Sequence, residues 1–185
     1  MPATITTTVT AYRDALERLF ILDSLPGWLP NNAHLNELAA SPKHHLVDPA
    51  LAVALLALDE AARLSGDARA TTVFRDGPFL GALFESLVTL NIRVYAQHSE
   101  TRVSHFRTHR GDHEIDLIVE RRDGRCIGVE VKLSPLVTGD DVRHLLWLRE
   151  RIGPEMLDLA VITTGKHALR RPDGVAVIPA ALLGP

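Results

Sequence analysis

At 185 residues, 46% of them hydrophobic and 23% charged, the chain has room for one well-packed α/β core with a small appendage; this excludes a disordered polypeptide and two large domains. Aromatics make up only 5%, so aliphatic side chains must build most of the core. A net charge of -3 with no basic run argues against a generally basic nucleic-acid-binding surface, leaving a local patch or a bound cation as the route to DNA or RNA.

The single cysteine, Cys126, cannot form an internal disulfide and lies in an apolar strand-like run, which fits a reducing cytoplasm. The N-terminus lacks the basic start and apolar core of a signal peptide. The longest apolar run, Pro49 to Leu58, is too short to span a bilayer, so no membrane partner is expected.

In chain order, the first element is an amphipathic helix with Thr8 or Thr10 as its cap and Tyr12, Leu16, Leu19 and Phe20 at near-helical spacing. Leu22 to Pro30 breaks that pattern with prolines and a glycine. A lone helix needs a partner for its apolar face, either later in the chain or on a second copy. His44 to Val47 predicts a brief strand, and Asp48-Pro49 opens a helix to about Leu58, with proline in the first turn. Polar Ser65 to Arg69 marks the main boundary. The division is then 1–30 for the N-terminal helix and linker, 31–70 for a helical connector and 71–185 for an α/β domain.

Within that domain, Pro78 to about Ile92 predicts a helix with an apolar face of Phe79, Leu80, Leu83, Leu87 and Leu90. Strands are predicted at Arg102–Thr108, Glu114–Glu120 and Cys126–Leu133, joined by turns at Arg110-Gly111-Asp112 and Arg122-Asp123-Gly124. Thr138-Gly139-Asp140 precedes a helix to about Arg151. Leu157–Thr163 and Val175–Ile178 are the last strands. The order implies a mixed central sheet flanked by helices.

Strand periodicity singles out a candidate site. Ile115, Leu117 and Val119 alternate with Asp116 and Ile118; Ile127, Val129 and Val131 alternate with Gly128, Glu130 and Lys132. If the two strands are neighbours, Asp116, Glu130 and Lys132 converge on one side of the sheet, with Glu130 and Lys132 roughly 7 Å apart at the backbone. Two carboxylates form a hard oxygen site suited to Mg²⁺ or Mn²⁺ with retained waters. A lysine beside them suits phosphodiester hydrolysis, by holding the attacking water or stabilising charge on the phosphate oxygens. Glu85, on the preceding helix, is within reach of the cluster as an outer-sphere or second-metal ligand.

A helical Glu, a strand Asp and then Glu-x-Lys on the next strand resembles the PD-(D/E)XK nuclease superfamily. More narrowly, SPKHHLVDPALAVALL, GALFESLV, FRTHRGDHEIDLIVE, IGVEVKLS and VITTG resemble the C-terminal domain of bacterial and archaeal P-loop ATPases, domain of unknown function 4143. The resemblance spans most of the chain from Ser41 onward. It implies a restriction-endonuclease-like core, catalytic roles for Glu85, Asp116, Glu130 and Lys132, metal ligation by Asp116, Glu130 and Glu85, and DNA as substrate. Those ATPases carry a P-loop and a winged helix ahead of this region. Here Gly165-Lys166 lacks a glycine five positions before Gly165, where Ala160 stands, so ATP binding is not carried over. TTTVTAYRDALERLFIL resembles only the last helix of the winged helix, implying a remnant or stand-alone form.

Other motifs read as structural. His105, His109 and His113 recur every four residues, but a turn interrupts them and Leu117 replaces the second histidine of H-E-x-x-H, so surface or hairpin histidines are expected rather than zinc ligands. His44 and His45 are read the same way. Arg107 and Arg110 are read as an exposed hairpin, with phosphate binding as the alternative. Trp28 and Trp147 are expected to fill core or interface space. Two functions remain open: a divalent-metal-dependent nuclease, and a non-catalytic module that binds nucleic acid, an ATPase or a second copy through its N-terminal helix.

Overall fold

The computed structural model describes residues 3–29, 41–55 and 77–184. The N-terminal helix α1 spans Ala3–Arg18, so Thr8 and Thr10 lie inside it and do not cap it. It ends where Phe20 takes a left-handed conformation (φ 54°) and the Ile21 N–H reaches back to the Leu16 carbonyl at 2.9 Å. Tyr12, Leu19 and Phe20 are 71%, 67% and 82% exposed, so the expected packing of this face is not met among the described residues.

The Leu22–Pro30 stretch is not a simple break. Leu22–Leu25 forms strand β1, antiparallel to β2 at Lys43–Leu46, and Leu25 pairs with Lys43. Fully buried Leu25 anchors this small sheet in the main core. The chain then runs along the edge of the main sheet: the Trp28 N–H donates to the His105 carbonyl at 2.7 Å, and the His105 N–H to the Pro26 carbonyl at 2.9 Å. Helix α2 covers Pro49–Leu55, opening at the predicted proline. The predicted boundary at Ser65–Arg69 lies outside the described residues.

Helix α3 spans Gly77–His98, six residues beyond its predicted end. Strands β3 (Arg102–Arg107), β4 (Glu114–Glu120) and β5 (Cys126–Lys132) form the predicted meander. Gly124 supports the β4–β5 turn with φ 82°, a conformation that L side chains rarely adopt. Helix α4 (Gly139–Ile152) leads to β6 (Met156–Thr163), a two-residue β7 (Leu169–Arg170) that residue order did not signal, and β8 (Ala176–Pro179). The six-stranded sheet has order β3-β4-β5-β6-β8-β7. β5, β6 and β8 run parallel and the remaining pairs antiparallel, which makes this a mixed α/β fold with four helices among the described residues.

The two faces carry separate apolar layers. Val142, Leu145 and Leu148 of α4 pack with Ile118, Leu159 and Val161; Val88 and Ile92 of α3 pack with Leu117, Val129 and Ile162. Gly128 lets α4 approach closely, because a Cβ there would sit 3.0 Å from Leu145 Cδ2. The predicted inner face of α3 is displaced: Val88, Thr89, Ile92 and Ala96 are buried, whereas Leu80 and Leu87 are each 45% exposed. Among the described residues, α3 is the one helix long and apolar enough to cross a membrane, which the lengths of the apolar runs did not anticipate.

One irregularity shapes the site. Ser104 pairs with Ile118 but Phe106 with Ile115, so β4 carries one residue more than β3 over that interval, a bulge. Simple alternation is broken there. Ile115 joins Ile118 in the layer under α4, while Leu117 and Val119 face α3.

Candidate functional site

The β4–β5 ladder runs from Glu120↔Cys126 to Leu117↔Val129 and ends there. Immediately beyond, the Val131 N–H donates to Asp116 Oδ2 at 2.9 Å, so a side-chain carboxylate stands in for a backbone acceptor. Glu130 and Lys132 alternate away from buried Val129 and Val131, on the α4 side. Lys132 Nζ lies 3.1 Å from Glu130 Oε2. Asp116, Glu130 and Lys132 therefore meet, and all three line one cavity of about 500 Å³ with Glu114, Asp140, Asp141, Arg143 and His144.

Glu85 does not line that cavity. Its carboxylate is held by Lys43, a residue to which the sequence alone assigned no role. Lys43 Nζ lies 2.7 Å from Glu114 Oε1, 3.3 Å from Glu85 Oε1 and 3.4 Å from Asp116 Oδ1. Strand β2 delivers the lysine from the small sheet, so three acids from α3 and β4 converge on a cation from a distant segment. Glu114 was legible by period two from Asp116; Lys43 lay in the SPKHHL segment, but nothing local linked it to the acids.

Charge and burial set the protonation states. Burial, then the nearby Asp116 charge, pushes the Glu130 carboxyl up to about 8, despite Lys132. Burial alone would depress Lys132, but Glu130 and Asp116 outweigh it and raise its pKa. Lys43 behaves likewise: Asp116 and Glu85 overcome burial and strengthen its hold on the proton. Burial and the Asp116 charge raise Glu85 in spite of the lysine. Glu114 is lower than an ordinary glutamate, because Lys43 more than offsets its burial.

The far wall belongs to the start of α4. The Thr138 N–H and hydroxyl donate to Asp141 Oδ2 at 2.8 and 2.7 Å, fixing the first turn. His144 is approached by the Glu114 N–H at 3.2 Å and by Arg143 Nε at 2.7 Å; burial and the Arg143 charge hold its pKa below the ordinary value. Among the described residues, no group of three or more His, Cys, Asp or Glu side chains is arranged to hold a metal ion. Two carboxylates that share the cavity, Asp116 and Glu130, would be the hard donor pair for a magnesium-type ion that keeps several waters.

The other motifs resolve into packing. His105 is not a surface residue: it is 1% exposed, its Nε2 is 3.0 Å from the Ser41 carbonyl oxygen, and its Nδ1 has no hydrogen-bond partner among the described residues. His113 stacks on Trp147 at 3.8 Å, and the Arg151 guanidinium covers the same indole at 4.2 Å. Trp28 is buried edge-on against Phe106, as expected of a core residue. Half-exposed Arg107 lies 3.8 Å from Glu114 Oε2.

The fold and cavity define a mixed α/β domain whose acidic site is braced by two lysines. The chain belongs to the family described as Domain of unknown function (DUF4143), which matches residues 80–183, more than half its length. A second description, Domain of unknown function (DUF8612), matches residues 5–62. No curated protein and no solved structure matches the chain.

Proposed function

We propose that this chain is a divalent-metal-dependent nuclease-like domain of the PD-(D/E)XK type, acting on DNA phosphodiesters. The observation that carries the reading is the meeting of Asp116, Glu130 and Lys132 from adjacent strands at one cavity, with Lys132 Nζ 3.1 Å from Glu130 Oε2. Asp116 and Glu130 would hold Mg²⁺ or Mn²⁺. Such an ion lowers the pKa of bound water and offsets charge on a phosphate. Lys132 stays protonated at neutral pH and presents a fixed ammonium to the attacking water or to a phosphate oxygen. Asp140 and Asp141 make the wall acidic, so phosphate entry depends on bound cation and on Arg143.

The test is direct. Isothermal titration should detect Mg²⁺ or Mn²⁺ binding that Glu130→Gln abolishes, and DNA cleavage that Lys132→Ala abolishes without loss of folding. A protein that binds neither ion and cuts neither DNA nor RNA is not a nuclease.

A second reading, a dimerisation or interaction module, is favoured by the exposed side chains of Tyr12 on α1 and of Leu19 and Phe20 just after it. Size-exclusion light scattering should then report a dimer that a Leu19→Glu, Phe20→Glu variant converts to monomer. A monomeric wild type removes the homodimer form of this reading.

A further inference from the structure

Four carboxylates and two lysines form a chain of contacts where β4 begins and β5 ends: Lys43 holds Glu85, Glu114 and Asp116, Asp116 interacts with Glu130, and Glu130 pairs with Lys132. With all six groups ionised, two negative charges remain, the charge of one divalent ion. Lys43 is built into that balance. Its strand is fastened by fully buried Leu25 and by Pro26–Trp28 along β3, so the ammonium is delivered by packing and not by a free surface side chain. Three carboxylate oxygens lie within 3.4 Å of it, from two elements. Its contact with Asp116 is to Oδ1, whereas Oδ2 receives the Val131 N–H.

We propose that Lys43 is a positioning residue, the fixed cation of the site: it holds Glu85, Glu114 and Asp116 Oδ1, and so confines the site to a single divalent ion on Asp116 and Glu130. The inference rests on the nuclease-like reading for where that ion binds. An ammonium competes with a metal for the same oxygens but offers three directed N–H donors and one charge. Glu85 and Glu114 are thereby occupied. Replacing Lys43 with an uncharged side chain releases Glu85, leaves Glu114 with Arg107 at 3.8 Å, and leaves three uncompensated negative charges among the six groups, a stronger pull on cations than the native site exerts.

The experiment is a Mn²⁺ titration of metal-free protein at fixed ionic strength, reading free Mn²⁺ by electron paramagnetic resonance. Wild type is expected to bind about one equivalent and Lys43→Gln about one more, while Lys43→Gln, Glu114→Gln returns to the wild-type value. Thermal unfolding guards against a folding artefact: Mn²⁺ should raise the melting temperature of Lys43→Gln by more than that of wild type. If wild type binds one ion and Lys43→Gln binds one with the same affinity, Lys43 is not the fixed cation, although the nuclease-like reading stands. Two ions bound by wild type overturn the role of Lys43 in the same way. A wild type that binds none overturns both.

Discussion

Asp116 accepts the Val131 N–H at 2.9 Å, taking over one rung of the sheet just where the β4–β5 ladder stops. The same carboxylate faces Lys43 through its other oxygen, so one side chain serves both the sheet and the candidate site. The two roles separate by substitution. Asp116→Asn keeps an acceptor for Val131, whereas Asp116→Ala leaves a sheet N–H without one, which costs about 1–3 kcal/mol. Urea unfolding should rank Asp116→Ala as the less stable variant, and both should lose metal binding. Equal stabilities would mean that water or the backbone replaces the carboxylate.

Glu130 gives the protein an unusual pH dependence. Its folded pKa is raised from 4.5 to about 8 by burial and by Asp116, so in metal-free buffer the native state keeps a proton that the unfolded chain has lost. The native state binds more protons in that window, and stability therefore falls as pH rises from about 4.5 to 8. The loss is on the order of a few kcal/mol. Glu130→Gln carries no titrating group at that position. Denaturant midpoints taken in EDTA at pH 5 and pH 8.5 should drop for wild type and change less for Glu130→Gln. Parallel profiles for the two proteins would show that Glu130 is not the group responsible.

Gly128 sets the distance between β5 and α4. A Cβ at this position would lie 3.0 Å from Leu145 Cδ2 and 3.3 Å from Leu159 Cδ2, both in the well-packed layer under α4. Gly128→Val adds still more volume to that layer, and overpacking of this kind costs about 1–3 kcal/mol. Thermal unfolding should show the loss, and Gly128→Val combined with Leu145→Ala should recover part of it. Independent, additive effects would mean that the two side chains do not compete for the same space.

Much of this fold could be read from residue order because its strands are long enough to show their period. Glu114–Glu120 carries the predicted bounds, and Cys126 and Arg102 open their strands where expected. Glycine and aspartate marked the intervening turns for the same local reason. What residue order does not show depends on partners distant in sequence. Leu22–Leu25 and Leu169–Arg170 are too short to declare themselves, and each is a strand only because another segment pairs with it. The β4 bulge puts Ile115 on the face of Ile118, which strict alternation cannot foresee. Asp116, Glu130 and Lys132 were brought together by a short-range hairpin, so period two sufficed. Lys43 comes 73 residues before Asp116, from a separate small sheet, and no local pattern encodes that meeting.

Helix α3 offers a final test, because sequence and structure assign its inward face differently. The stripe Phe79, Leu80, Leu83, Leu87 and Leu90 is the more apolar to the eye, yet the buried apolar side chains are Val88, Ile92 and Ala96, the first two packed with the sheet. A helix that is apolar nearly all round gives no single direction for its core face, and the sheet selects one by fit. Ile92 packs with Leu117, Val129 and Ile162, so Ile92→Ala removes buried methyl groups and leaves a cavity, at about 2–5 kcal/mol. Leu87→Gln alters a side chain that is 45% exposed and should stay within about 0.5 kcal/mol of wild type. Urea denaturation of the two variants decides the matter. A large loss for Leu87→Gln with little for Ile92→Ala would mean that the helix presents its leucine stripe to the core, rotated from the orientation described.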